Sequence, residues 1–197
     1  MNLTNKRILL GVTGGIAAYK AADLTRRLQD QGAEVRVVMT DAATEFITPL
    51  TMQALSGNPV HTDLLDTETE SVMGHIELAR WADLILVAPA SANFIARLVS
   101  GQADDLLSTL CLAAECPLAV APAMNQAMWN NAATQTNIEK LHAITSYVLG
   151  PASGLQACGE VGEGRLLDVP ELVEAVSELF PSTELGGKHV VITAGPT

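Results

Sequence analysis

The sequence predicts an α/β protein built on a doubly wound, mostly parallel sheet with helices on both faces. Short apolar runs of strand length alternate with longer stretches of helical periodicity, which is the pattern of strand–helix–strand units. Of the 197 residues, 48% are hydrophobic and only 4% are aromatic. Small aliphatic residues and glycine are typical of parallel strands that are covered on both sides. The length suits one domain with a sizeable core.

The predicted strands and helices follow one another along most of the chain. The strands are expected at 7–12, 35–39, 84–88, 118–121 and 146–149. The helices are expected at 16–31, 49–55, 76–81, 92–99, 105–114, 126–141 and 171–180. Gly32 and Gly57 follow the first two helices, as glycine commonly does at helix C-termini. The polar segment 62–71 shows no periodicity and predicts a surface loop. The whole pattern predicts a Rossmann-like (flavodoxin-like) fold.

The C-terminal segment predicts a second unit. Residues 1–181 form the predicted domain, and 182–197 form a predicted linker and the first strand of a truncated second domain. The strand 188–191 leads into ITAGPT, which is typical of the opening strand and glycine turn of another α/β domain. A final edge strand of the same sheet explains this segment equally well.

Charge and cysteine content exclude several classes of function. The formal net charge is −11, which argues against nucleic acid as a partner, although helix N-termini can still hold small phosphates. No apolar run reaches the roughly 18–20 residues of a membrane helix, and the N-terminus lacks a signal peptide. Cys111, Cys116 and Cys158 are odd in number and lack metal-ligand spacing. These features predict a reduced, cytoplasmic protein without a metal or membrane partner.

The turn after the first strand contains Gly14 and Gly15 and leads into a helix. Such a strand–glycine–helix arrangement directs backbone N–H groups towards a phosphate. The spacing matches neither the P-loop nor the G-x-G-x-x-G dinucleotide motif. A purely structural tight turn remains an alternative.

Polar residues follow the next strands, where ligands of such sheets bind. Thr40 and Asp41 end the second strand, and Asp41 could either contact a ligand or cap the next helix. Ser91 and Asn93 follow the third strand, and Ser91 could also be an N-cap. The segment 121–129 follows the fourth strand. The convergence of these strand ends indicates a ligand site more strongly than any single motif does.

Two further side chains could carry chemistry. His75 precedes a short helix, and a lone histidine in such a place is more often structural than catalytic. Cys158 lies in the glycine-rich segment 154–165, which predicts a flexible loop and an accessible thiol. An accessible thiol beside a ligand pocket is a candidate proton donor or nucleophile. Cys111, in an apolar helix, is expected to be buried.

Together these motifs resemble those of the homo-oligomeric flavin-containing cysteine decarboxylases, and among them the phosphopantothenoylcysteine decarboxylases. The matching pieces, in the family's order, are GGIAA at 14–18, GHIEL at 74–78 with WAD at 81–83, PASAN at 89–93, PAMN at 122–125 with MW at 128–129, and ACG at 157–159 with GEG at 162–164. They span residues 8 to about 168 and are highly specific. The tail ITAGPT resembles the start of a partner synthetase domain.

The resemblance implies FMN as the cofactor and assigns roles to individual residues. FMN would be held by Gly14, Gly15, Thr40, Ser91, Asn93, Ser108 and Ala123. His75 would be the base that assists oxidation, Asn125 would bind the substrate carboxylate, and Cys158 would donate a proton. Segment 155–166 would cover the substrate, with substrate contacts from Asn125, Leu155, Ala157, Arg165, Leu166 and Arg80. Phe94 stands where the family often has threonine, so a contact from Phe94 to FMN is doubtful.

The resemblance also implies a reaction and partners. The reaction would convert 4′-phosphopantothenoylcysteine into 4′-phosphopantetheine in coenzyme A biosynthesis. The protein would be a homo-oligomer built from trimers, up to a dodecamer, with a fused CTP-dependent synthetase domain. Arg80 and Lys20 are candidates for the substrate phosphate on charge alone.

General chemistry favours flavin for such a reaction. A cysteine carboxylate attached through an amide has no electron sink for decarboxylation. Oxidation of its thiol to a thioaldehyde places C=S beyond the α-carbon, so loss of CO₂ gives an enethiolate. Flavin is a suitable acceptor for that oxidation.

The residues disfavour three other functions. A non-catalytic flavoprotein on the same fold is disfavoured by the joint presence of His75, Asn125 and Cys158. A nicotinamide-dependent dehydrogenase is disfavoured by the missing dinucleotide motif and by Thr40 at the strand end. A peptide-cysteine decarboxylase that stops at the enethiol is disfavoured by the segment around Cys158.

Overall fold

The computed structural model describes residues 3–64, 74–145 and 147–180, and in this part of the chain six parallel strands form the central sheet. The strands are β1 (Arg7–Val12), β2 (Glu34–Met39), β3 (Val60–His61), β4 (Leu84–Ala90), β5 (Leu118–Pro122) and β6 (Tyr147–Val148). Their spatial order is β3-β2-β1-β4-β5-β6. This order reverses between β1 and β4, as in doubly wound sheets. The predicted fold class is confirmed, and β3 is an edge strand that the sequence pattern did not reveal.

Helices connect the strands. They are α1 (Lys20–Asp30), α2 (Asp41–Thr44), α3 (Pro49–Ser56), α4 (Gly74–Trp81), α5 (Ala92–Val99), α6 (Leu106–Ala113), α7 (Gln126–Trp129), α8 (Ala132–Ile144) and α9 (Val169–Glu178). A 3-10 turn over Ile16–Tyr19 leads into α1, so the predicted first helix begins with a tighter turn. Gly57 ends α3 in the left-handed conformation, as predicted.

The sheet is buried on both faces, which explains the continuous apolar strands. Every residue of β4 is buried. Ile8 and Leu10 point to the face covered by α1 and α9, whereas Leu9 points to the face covered by α5 and α6. This alternation follows the two-residue period of a strand. The two cores fix the strand ends, and therefore the turns that follow them.

The segment around Cys158 corrects one prediction. The predicted loop 154–165 is shorter than expected: residues 156–160, with the exposed Cys158, connect the antiparallel strands β7 (Ala152–Leu155) and β8 (Val161–Arg165). The hairpin packs on the turn after β5, where the Met124 N–H donates to the Gly164 carbonyl at 2.8 Å. Gly164 has φ 119, and a Cβ there would lie 2.5 Å from the Met124 carbonyl oxygen. Glycine is needed here for both conformation and space.

The single helix predicted over 126–141 is wrong, because two helices occupy this segment. The chain breaks after α7, and Asn131 caps α8 by accepting a hydrogen bond from the Ala133 N–H at 2.9 Å. Asparagine is a common N-cap residue, so the side chain of Asn131 accounts for the start of α8.

Two predictions cannot be compared with the structure. The proposed linker and strand at 182–197 lie outside the described residues, as does most of the predicted loop 62–71. In the described residues, no helix has the length and apolar character needed to cross a membrane.

Candidate functional site

The candidate site lies at the carboxyl ends of β1 and β4, where the strand order reverses. Two parallel strands whose connections diverge leave a crevice at this edge of a sheet. The glycine turn follows β1, and the Ser91 turn follows β4. The structure therefore brings together two of the motifs that the sequence singled out.

Thr13, which the sequence analysis overlooked, joins these two turns. Its buried hydroxyl donates to the Pro89 carbonyl at 2.8 Å and accepts from the Ser91 N–H at 2.9 Å. The Thr13 N–H also donates to the Pro89 carbonyl at 3.2 Å. The only sequence signal for this role is a hydroxyl residue between a buried strand and a glycine pair.

The two glycines of the first turn have different requirements. A Cβ at Gly14 would lie 2.5 Å from the Ala42 Cβ, so Gly14 is required by packing against α2. A Cβ at Gly15 would meet no atom within 4 Å. The backbone of Gly15 is extended, with φ 166, which any residue can adopt. Gly15 therefore leaves open space at the start of the 3-10 turn.

Three hydroxyl residues of the predicted FMN set cap helices. Thr40 accepts from the Ala43 N–H at 3.3 Å, and Ser91 accepts from the Phe94 N–H at 3.2 Å. Ser108 is fully buried and completes the capping box of α6: its N–H donates to the Asp105 carboxylate at 2.7 Å, and its hydroxyl accepts from the Asp105 N–H at 3.3 Å. Ser108 thus has a structural role, and its contact with FMN stays a prediction. The alternative reading of Ser91 as an N-cap is confirmed.

The remaining FMN candidates differ in exposure. Asn93 is exposed on the first turn of α5. Ala123 is half-buried, and its N–H donates to the Ala90 carbonyl at 2.9 Å. Phe94 is 2% exposed and packs in the core, so the doubt about it as a ligand contact is supported.

A second group of side chains forms where the β7–β8 hairpin meets α7. Asn125 caps α7 with its carbonyl oxygen, which accepts from the Ala127 N–H at 2.8 Å. This bond points the Asn125 Nδ2 group towards the hairpin. Nδ2 lies 2.7 Å from the Glu160 carboxylate and 3.4 Å from the Cys158 sulfur. Cys158 is exposed, and its sulfur lies 3.6 Å from the same Glu160 oxygen.

Gln156 and Glu160 were missed by the sequence analysis, although each lies two residues from Cys158. Gln156 accepts from the Gln126 N–H at 2.9 Å and donates to the Glu163 carbonyl at 3.1 Å, so it joins the hairpin to α7. Glu160 is exposed. The pKa of Glu160 is lowered below its usual value, mainly by the hydrogen bond from Asn125 and to a smaller extent by the one from Cys158. The carboxylate is therefore ionised at neutral pH.

Arg165 and Lys20 converge on Asp168, the N-cap of α9. Arg165 contacts the two carboxylate oxygens at 3.2 and 3.0 Å, and Lys20 Nζ lies 3.0 Å from one of them. The hydrogen bonds from Lys20 and then Arg165 lower the pKa of Asp168. A substrate phosphate at either cation would have to compete with this carboxylate.

The other predicted substrate contacts differ in exposure to solvent. Leu155 and Ala157 are exposed on the hairpin. Leu166 is 2% exposed and packs in the core, so its side chain does not line an open surface. Burial of Leu166 anchors the end of the hairpin instead.

His75 and Arg80 lie on α4. His75 is in the first turn of this helix, and its side chain is outside the described part of the structure. Arg80 is exposed in the last turn, which leads into the amino end of β4. Within one chain, Arg80 therefore lies at the amino ends of the strands, whereas Asn125 and Cys158 lie at the carboxyl ends.

The chain is similar to known proteins over most of its length. The model of the flavoprotein family matches residues 1–180. The coenzyme A biosynthesis bifunctional protein CoaBC of Vibrio vulnificus is 60% identical over 195 residues, which cover 99% of this chain and 49% of that protein. CoaBC of Escherichia coli is 55% identical over 198 residues, covering 100% and 49%. The chain thus spans about half the length of the curated relatives it matches.

Solved structures show the same architecture. A PPC decarboxylase variant in complex with pantothenoylaminoethenethiol has a TM-score of 0.76 and 31% identity, with 88% of this chain and 97% of that chain covered. The FMN-dependent cysteine decarboxylase SpaF has a TM-score of 0.75 and 31% identity, covering 89% and 99%.

Proposed function

This chain belongs to the flavoprotein family, and from that premise we propose that it binds FMN and decarboxylates 4′-phosphopantothenoylcysteine to 4′-phosphopantetheine, a step of coenzyme A biosynthesis. The observation that carries the proposal is the group formed by Asn125, Cys158 and Glu160 beside the hairpin. It presents an amide donor and a thiol donor at one point. The names of the relatives, which are CoaBC and PPC decarboxylase, agree with this substrate.

The residues at the strand ends fit FMN. Gly15 leaves open space at the start of a turn that continues into α1, and a helix start favours a phosphate group. The Thr13–Ser91 hydrogen bond fixes the neighbouring turn. We propose Gly15, Ser91 and Asn93 as the main FMN contacts, with Thr40, Ser108 and Ala123 shaping the site.

FMN, when bound, supplies the reversible two-electron chemistry that joins the substrate thiol, its thioaldehyde and the final thiol. The thioaldehyde makes loss of CO₂ possible, because the electron pair of the broken C–C bond is delocalised onto sulfur as an enethiolate. The complex of the related PPC decarboxylase variant with pantothenoylaminoethenethiol supports an enethiol on this route.

The chain's own residues would bind, orient and move protons. Asn125 Nδ2 would donate to the substrate carboxylate, in an orientation fixed by the Ala127 N–H. Cys158 would donate a proton to carbon after CO₂ has left. His75 would accept the proton released during oxidation of the substrate thiol. Leu155 and Ala157 would cover the substrate, and Arg165 would fix the base of the hairpin through Asp168.

The assembly and location are parts of the same proposal. Residues 182–197 would begin a synthetase domain, since the curated relatives are about twice this length and are named bifunctional. We propose a homo-oligomer built from trimers, in which Arg80 reaches the substrate site of a neighbouring copy. The three free cysteines are consistent with a reducing, cytoplasmic location.

Incubation with 4′-phosphopantothenoylcysteine tests the proposal. The purified protein should show a flavin spectrum, release CO₂ and form 4′-phosphopantetheine, followed by mass spectrometry. A flavin-containing protein that releases no CO₂ would support the non-catalytic alternative, and a product that remains an enethiol would exclude the full reductive cycle. Sedimentation of the active species would test the oligomer, which a fully active monomer would rule out.

A further inference from the structure

Glu160 has no step in the proposed reaction, although it lies beside two residues that do. Its carboxylate lies at the point where the donors of Asn125 and Cys158 meet, with Oε2 at 2.7 Å from Asn125 Nδ2 and 3.6 Å from the Cys158 sulfur. A short N–H to carboxylate contact of this kind is a charge-assisted hydrogen bond. Glu160 therefore occupies the position that suits an incoming carboxylate.

The hydrogen-bond inventory of Asn125 shows why the two carboxylates would compete. Its carbonyl oxygen is used by the Ala127 N–H, so only Nδ2 faces the hairpin. Gln156 Oε1 lies 3.4 Å from Nδ2, and that oxygen already accepts from the Gln126 N–H at 2.9 Å. The short bond of Nδ2 is the one to Glu160. A substrate carboxylate can take this bond only when Glu160 leaves it.

We propose that Glu160 is a positioning residue that stands in for the substrate carboxylate in the free enzyme and is exchanged for it on binding. The proposal rests on the proposed function, and specifies which group the substrate carboxylate displaces at the same site. Glu160 can leave readily because it is exposed, near the tip of a hairpin. Gln156 keeps the hairpin attached to α7 during the exchange, since its side-chain oxygen accepts from the Gln126 N–H at 2.9 Å.

The exchange affects the carboxylated substrate and the decarboxylated product differently. A carboxylate that replaces Glu160 lies next to the Cys158 thiol, so the acid is close to the carbon from which CO₂ departs. The product has no carboxylate, so Glu160 can return to Asn125 after CO₂ has left. Competition from Glu160 therefore weakens binding of the carboxylated substrate and leaves binding of the decarboxylated product unchanged.

Binding measurements in a His75→Asn background, which is expected to prevent turnover, test the exchange. Glu160→Gln and Glu160→Ala should each lower the Kd of 4′-phosphopantothenoylcysteine about fivefold, because an internal competitor reduces the fraction of competent sites. The Kd of 4′-phosphopantetheine should stay unchanged. A merely structural role for Glu160 would weaken substrate binding, which is the opposite sign.

Glu163→Gln is the matched control. Glu163 lies on the same hairpin, and its carboxylate accepts from Trp129 Nε1 at 3.1 Å. It should leave both Kd values unchanged. If the protein with His75 intact decarboxylates the substrate, unchanged or weaker substrate binding in the Glu160 variants would overturn the exchange alone. An otherwise wild-type protein that neither binds nor decarboxylates the substrate would overturn the proposed function as well.

Discussion

The hydroxyl of Thr13 accepts a hydrogen bond from the backbone N–H of Ser91 at 2.9 Å, which joins the turn after β1 to the turn after β4. These residues are 78 positions apart in the sequence. The same hydroxyl donates to the Pro89 carbonyl at 2.8 Å. One buried side chain thus fixes the distance between two turns of the proposed FMN site.

Thr13→Val should destabilise the fold and weaken flavin retention. Valine has nearly the same shape, but it removes the buried hydroxyl that bonds to the Pro89 carbonyl and leaves the half-buried Ser91 N–H without this partner, a cost of about 1–3 kcal/mol. Urea unfolding and flavin absorbance of the purified variant measure the two effects. Thr25→Val is the control, because Thr25 is also buried but bonds within α1 to Ala21. Equal flavin loss in both variants would contradict a local role for Thr13.

Gly15→Asp should give folded, colourless protein. The added side chain enters open space and the backbone is already extended, so the fold should tolerate it. The carboxylate would repel the FMN phosphate and block its approach. Flavin absorbance near about 450 nm and circular dichroism report on the two properties. Normal flavin content in this variant would refute the assignment.

Gly14→Ala should fail in a different way. Its Cβ would approach the Ala42 Cβ to 2.5 Å, so α2 must shift or the protein must lose stability. Overpacking of this kind costs about 1–3 kcal/mol. Thermal unfolding should show a lower Tm for Gly14→Ala than for Gly15→Ala. The reverse order would show that α2 yields easily.

His75→Asn and Cys158→Ser should stop the reaction at different steps. His75→Asn should retain FMN but release no CO₂, because the thioaldehyde does not form. Cys158→Ser should release CO₂ once, bleach the flavin once and then stop at the enethiol, because a serine hydroxyl is a much weaker acid than a thiol. Stopped-flow absorbance and mass spectrometry follow these events. Many complete cycles by Cys158→Ser would show that the proton has another source.

Asp168 should contribute stability that depends on pH. Lys20 and Arg165 lower its pKa in the folded state, so its contribution is present above the unfolded pKa and is lost as pH falls through the folded pKa. The carboxylate is about half exposed, so the effect should be at most about 1 kcal/mol. Urea unfolding at neutral and acid pH measures it. Asp168→Asn should reduce the loss of stability on acidification, and an identical loss would argue against the pairing.

The sequence alone determined the fold class, and it predicted a candidate site at the strand ends. Buried parallel strands such as β4 need continuous apolar residues, and the turns that follow strands carry glycine, hydroxyl and amide groups, so both signals are local. Motif resemblance identified Asn125 and Cys158 before their contact could be seen. The fold-class prediction succeeded because strand and helix signals depend on residues that are close in the chain, whereas the roles of Asn125 and Cys158 stay predictions.

Only the tertiary structure decided which side chains meet. Nothing local pairs Thr13 with Ser91, or Glu160 with Asn125, because these contacts depend on strand order and on how the hairpin packs. The glycines around Cys158 suggested a flexible loop, whereas packing against the turn after β5 supplies the order. The resemblance implies ligand contacts for Leu166 and Ser108, but both side chains are buried, since burial is a property of the whole fold.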